Sequence, residues 1–166
     1  MSERADRRPS ALVVRVALVV AVLGAGAVAL AVRSGGASAG SGGLTVAHAY
    51  LDEPANPDQA AVRLVIANRT DRDDVLTGVS SPDADEAMVH RSSVDDRGMS
   101  TMAEAPDLAI PAGQTVRFEP GGLHVMVTGL HRRLAVGDRI ELDLAFAHAG
   151  TVRVEVAVVE PGSEEG

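Results

Sequence analysis

His90, Met102, His124 and Met126 stand at the spacing His-x11-Met-x21-His-x-Met. Apart from the initiator, every methionine of the chain (Met88, Met99, Met102, Met126) lies between positions 88 and 126, together with two of the five histidines. Methionine in a core is usually scattered gap filler, so its clustering with histidine asks for another reason. Thioether and imidazole together form a soft to borderline ligand set, which suits monovalent copper. The last pair lies in Gly121-Gly-Leu-His-Val-Met-Val-Thr-Gly-Leu130, which alternates like a strand. Side chains of a strand repeat every two residues, so His124 and Met126 share one face while Leu123, Val125 and Val127 share the other. One face can fill a core while the other presents a metal site.

The remaining candidates read as structural. Met99 rivals Met102 from three residues earlier, in what reads as one loop, and the x21 spacing to His124 favours Met102. Met88 shares a strand face with His90 and reads as a core residue with room to assist the site. His48, His131 and His148 lack a partner at metal spacing and read as surface or turn residues. Asp71-Arg-Asp-Asp74 lacks the alternating oxygens, glycine and closing Glu of a calcium loop. Asp83-Ala-Asp-Glu86 reads as a solvated turn. No Gly-x-Ser-x-Gly elbow or phosphate-binding glycine loop is present, so the sequence gives no support to an enzyme.

The elements that must carry these residues are short strands from Leu44 onward, at Leu44–Tyr50, Ala60–Asn68, Asp74–Ser80, Glu86–Ser93, Gln114–Phe118, Leu123–Leu130, Arg139–Phe146 and Thr151–Val159. Between them fall turn signals such as Pro54-Ala-Asn-Pro57, Ser81-Pro-Asp83, Pro111-Ala-Gly113 and Val136-Gly-Asp138. Leu142, Leu144 and Phe146 alternate with Glu141, Asp143 and Ala145, and Val152, Val154, Val156 and Val158 alternate with Arg153, Glu155 and Ala157. Each such strand buries one face and wets the other. The pattern predicts an all-β Greek-key sandwich or barrel with no helix beyond a turn. By this pattern alone it could equally be immunoglobulin-like.

The chain has no cysteine, which excludes a disulfide framework, a thiolate metal site, a blue-copper centre and a Cys-held iron–sulfur cluster. Lipid attachment through a Cys is excluded by the same count. Tyr50, Phe118 and Phe146 are the only aromatic residues, too few to stack nucleic-acid bases. Val16 to Val32 is an uninterrupted run of apolar and small residues behind Arg4, Arg7, Arg8 and Arg15, which marks an export signal with its N-terminus held inside. As a helix it would span about 26 Å, barely a bilayer core. Ala37-Ser-Ala39 offers a cleavage site, and the length of the run favours an uncleaved anchor. The expected division is therefore 1–33 cytoplasmic N-terminus and transmembrane or signal segment, 34–43 Gly/Ser/Ala linker, 44–161 metal-binding β domain and 162–166 tail. Beyond residue 40 there are 10 Arg against 21 Asp and Glu, a formal charge of −11 that repels nucleic acid and suits an extracytoplasmic surface.

The spacing resembles that of the periplasmic CuA copper chaperone family, the PCuAC-like proteins. The resemblance covers Leu44 to Pro161 and includes Ile110-Pro-Ala-Gly113, Phe118-Glu-Pro-Gly-Gly-Leu-His-Val-Met126, Thr128-Gly-Leu130 and Val136-Gly-Asp138. It implies a cupredoxin-like fold with Cu(I) ligands at His90, Met102, His124 and Met126. Arg91 departs from the pattern, since many members carry a second methionine there. The resemblance further implies a chaperone that carries copper to the CuA-bearing subunit of cytochrome c oxidase, or to another copper carrier. That protein would work on the outer face of the cytoplasmic membrane, anchored there or released after cleavage near Ala39. A copper-sequestering buffer would use the same ligands, and an immunoglobulin-like interaction module would use none of them.

Overall fold

A computed structural model describes residues 39–163, and the expected signal or anchor helix lies outside them, as do residues 34–38 of the linker and 164–166 of the tail. The described residues form eleven strands and no helix: β1 (Ala39–Ser41), β2 (Leu44–Asp52), β3 (Gln59–Asn68), β4 (Asp74–Ser80), β5 (Ala84–Val94), β6 (Ser100–Glu104), β7 (Leu108–Ile110), β8 (Thr115–Arg117), β9 (Leu123–Leu130), β10 (Arg139–Phe146) and β11 (Gly150–Val159). They hydrogen-bond in the order β6-β5-β9-β3-β2-β11-β10-β4-β7, with β1 on β2 and β8 on β3. Strands β4 and β5 lie far apart in that order, yet only Ser81–Asp83 separates them in the chain. The sheet therefore curls back on itself. All pairings are antiparallel except the short contact of β11 with β2.

Alternation sets the inward face. Ile140, Leu142, Leu144 and Phe146 of β10 pack with Val152, Val154, Val156 and Val158 of β11, as the sequence pattern predicts. Strand β2 changes parity midway. Leu44 and Val46 face inward, then Ala49 and Leu51. The change occurs at a bulge between Ala47 and Tyr50, where His48 takes φ 52°. One extra residue on a bulged strand reverses which side chains face the core. His48 is exposed there, which accounts for it without a ligand.

Three strands depart from the sequence-based reading. The end of the expected linker forms β1, folded back on β2 through Gly42 and Gly43, both at positive φ. Leu108–Ile110 pairs with β4 as β7. The expected loop containing Met102 is strand β6, paired with the last five residues of β5. Every residue of β6 is exposed, so no hydrophobic alternation announces it, and the ladder with β5 holds it.

Among the described residues, three polar side chains are buried: Asn68, Asp74 and His124. Asn68 donates to the Arg72 and Ile110 carbonyls and accepts from the Thr70 N–H and hydroxyl, so it ties the β3–β4 turn. The Asp74 carboxylate accepts from the N–H groups of Val75, His148 and Ala149 at 2.8, 3.0 and 2.9 Å. Burial works against its charge, but these three donors outweigh it and hold the carboxyl below its ordinary pKa. Both residues have a complete structural explanation.

Candidate metal centre

The site lies on the outer face of three neighbouring strands, β6, β5 and β9. His90 and His124 are direct cross-strand partners, as are Met88 and Met126. The strands run antiparallel, so Met88-x-His90 read against His124-x-Met126 sets like against like. On the other side of β5, Met102 pairs with Ser92 and Glu104 with His90. Met102 is thus one diagonal from His90, within reach for a long side chain. Val89 and Val125 point the opposite way, into the core. The face that carries the two histidines and the core face are separate, as the alternation predicts.

His90 is the hub. Its Nδ1 lies 3.2 Å from the Met102 sulfur, and its ring meets the His124 ring edge-on with centroids 5.8 Å apart. Its Nε2 is buried without a hydrogen-bond partner, the only such side-chain nitrogen or oxygen among the described residues. A neutral imidazole carries one proton, on either nitrogen. With the proton on Nδ1, the Nε2 lone pair is buried and unanswered. With it on Nε2, the N–H is. An unsatisfied buried polar atom is a cost that the fold retains, and a cation bound at Nε2 would remove it.

His124 is 8% exposed, and its Nδ1 lies 3.3 Å from the Gly122 carbonyl. A carbonyl only accepts, so this contact favours the proton on Nδ1 and leaves Nε2 as the free base. A backbone carbonyl orienting a ligand histidine in this way is a common outer-shell arrangement. Met126 is half-buried beside it, whereas Met102 is 55% exposed. Among the described residues, no three His, Asp or Glu side chains converge to hold a metal. The two imidazoles share this face with the thioethers of Met102 and Met126, a donor set that suits a soft ion.

Met99 is 63% exposed and sits in the β5–β6 turn, where Asp95 Oδ1 accepts from its N–H at 2.8 Å. The sulfur in contact with His90 belongs to Met102. His131 pairs with Asp85 at 3.1 Å, and the His148 N–H serves Asp74. Met88, read from the sequence as core with room to assist the site, stands outside the core cluster and on the histidine-bearing face opposite Met126. The reversed Met-x-His and His-x-Met order could have located it, had the pairing of β5 with β9 been known.

Solved structures resemble this fold, PCuAC domains among them. The copper-bound PCuAC domain from PmoF2 has TM-score 0.63 and 27% identity over 75% of this chain and 99% of that one. The apo PCuAC domain from PmoF1 has TM-score 0.62 and 25% identity over 75% of this chain and 100% of that one. The Cu(I) form of DR1885 from Deinococcus radiodurans has TM-score 0.54 and 28% identity over 69% and 77%. Among curated sequences, "Putative lipoprotein Lxx21020" of Leifsonia xyli subsp. xyli is 36% identical over 85 residues, and the chain spans about half the length of that relative (51%). The sequence model of the family described as "Putative lipoprotein LpqE-like" matches residues 44–158, from the start of β2 into β11. The chain belongs to the LpqE-like family.

Proposed function

We propose that this chain is an extracytoplasmic Cu(I) chaperone, with His90, Met102, His124 and Met126 as the ligands and copper as its cargo. The carrying observation is the convergence of two imidazoles and two thioethers on one face of β6, β5 and β9, with the His90 Nε2 buried and unpartnered. The likeness to a copper-bound PCuAC domain supports the same reading. Two thioethers and two imidazoles favour Cu(I) by softness. Cu(II) prefers tetragonal nitrogen and oxygen ligands, so oxidation would weaken the Met contacts and loosen the cargo. A thioether binds without losing a proton, whereas a thiolate must be formed first and is open to oxidation outside the cytoplasm.

The division of exposure suits transfer. His124 anchors the buried side, while the exposed Met102 is where an incoming ligand can displace one donor at a time. The recipient that fits is the CuA-bearing subunit of cytochrome c oxidase. We propose a carrier and not an enzyme. For localisation, the Arg-flanked apolar run 16–32 supports a position on the outer face of the membrane. The family is described as lipoproteins, yet residues 1–166 contain no cysteine to bear a lipid. We read the apolar run as the membrane attachment, the alternative being release after cleavage near Ala39.

Anaerobic Cu(I) titration of the full chain in detergent, against a competing chelator, tests this reading. One Cu(I) per chain with copper–sulfur scattering at the X-ray absorption edge is expected. A copper shell of nitrogen and oxygen alone, or a stoichiometry well above one, refutes it.

A further inference from the structure

Met88 is a further soft donor on the ligand face, at a position outside the four-residue spacing. It faces Met126 directly, two residues along the ladder from His90 and His124 and on the same face. The Ser92 N–H donates to the Gly122 carbonyl at 2.9 Å. In the same ladder this makes 90/124 and 88/126 pairs of the hydrogen-bonded kind, with Cα atoms about 5.5 Å apart. The two imidazoles at such a pair have centroids 5.8 Å apart. Two methionines at the next pair on that face have longer, unbranched side chains with three rotatable bonds, so both sulfurs can reach one ion.

Packing does not account for Met88. Val89 is the neighbour that fills the core, and Met88 is only half-buried. It borders a groove of about 190 Å³ between β4 and β5, whose wall includes Gly78 and Ala105.

Resting on the copper reading above, we infer that Met88 is a reserve thioether ligand that exchanges with Met126 on bound Cu(I). Two histidines and three methionines offer five donors to an ion that takes four. One thioether is always free. Met126 can then leave for Met88 while the coordination number stays constant, and the ion shifts along β5 and β9 without a bare intermediate. A carrier that must release its cargo gains from such exchange, since no single Cu–S bond has to be broken unassisted.

Leucine tests the sulfur with little change of volume or apolar character. In the full chain, Met126→Leu should retain one Cu(I) with sulfur scattering and lose less than ~10-fold in affinity, whereas Met88→Leu with Met126→Leu should lose ~100-fold or more, beyond the sum of the single changes. In the unchanged protein, the Met88 ε-methyl resonance should move on addition of Ag(I), a reading that needs no variant to fold. Wild type that binds Cu(I) while Met88→Leu is neutral in both backgrounds, or a Met88 methyl signal indifferent to Ag(I), overturns the reserve ligand and leaves the copper reading standing. Wild type that binds no Cu(I) overturns both.

Discussion

Replacing His90 by phenylalanine should make the apo protein more stable and the copper-loaded protein less so. Phenylalanine keeps a ring opposite His124 and against the Met102 sulfur, and it deletes the buried Nε2 that has no partner. Leaving one such atom unsatisfied costs about 1–3 kcal/mol. The lost contact from Nδ1 to sulfur is a weak bond that returns roughly 0.5–1 kcal/mol of this. The net gain then lies between about 0 and about 2.5 kcal/mol, centred near about 1, and at about 4 °C per kcal/mol for a domain of this size the apo midpoint should rise by up to about 10 °C. Copper reverses the order. Free Cu(I) at 100 times Kd stabilises wild type by about 2.7 kcal/mol, and a chain stripped of the hub ligand should gain little of that. Anaerobic thermal and urea unfolding, with and without Cu(I) buffered by a chelator, measures all four states. An apo His90→Phe protein less stable than wild type by 1 kcal/mol or more would refute the reasoning, as would a variant that copper stabilises fully.

The other expectations are simpler. Met102→Leu, at an exposed strand position, should change apo stability by less than about 0.5 kcal/mol while weakening Cu(I) in chelator competition; a larger stability loss would mean that Met102 packs and does not merely bind. Asp74→Ala leaves three N–H groups without their acceptor and should cost about 3 kcal/mol in urea unfolding. Because the folded Asp74 pKa is depressed, its contribution is fully present above the unfolded carboxyl's pKa of about 3.9 and is lost as pH falls through the folded value. The stability gap between wild type and Asp74→Asn should therefore shrink in strong acid, and a gap constant from pH 6 to pH 2 would show that the charge is not what matters. Zinc at equal concentration should fail to displace Cu(I) in reducing buffer, since thioethers are poor zinc ligands; competition followed by copper absorption decides it. In cells starved of copper, a chain carrying His90→Phe should be present and folded yet fail to restore the cytochrome c oxidase activity lost on deletion. A deletion strain with normal oxidase and raised copper sensitivity would instead assign the protein to copper buffering.

The types of donor and most of the scaffold are legible in the residues alone. The strict alternation of β10 and β11, the polar turns between strands and the His-x-Met pair on one face of β9 all follow from a period of two, a local property of the extended chain. The absence of cysteine left only nitrogen, oxygen and thioether ligands, which is a matter of composition. Tertiary structure decided what depends on pairing. Strand β6 has no buried face, so nothing in its own residues marks it, and only the ladder with β5 lifts Met102 beside His90. The parity change at His48 is hidden in the same way, since an inserted residue is recognised as a bulge only against its partner strand. Met88 shows the limit most plainly. Its residue type and its spacing from His90 suit core and ligand face alike, and the antiparallel register that sets it against Met126 joins residues 38 positions apart, a distance over which local pattern carries no information.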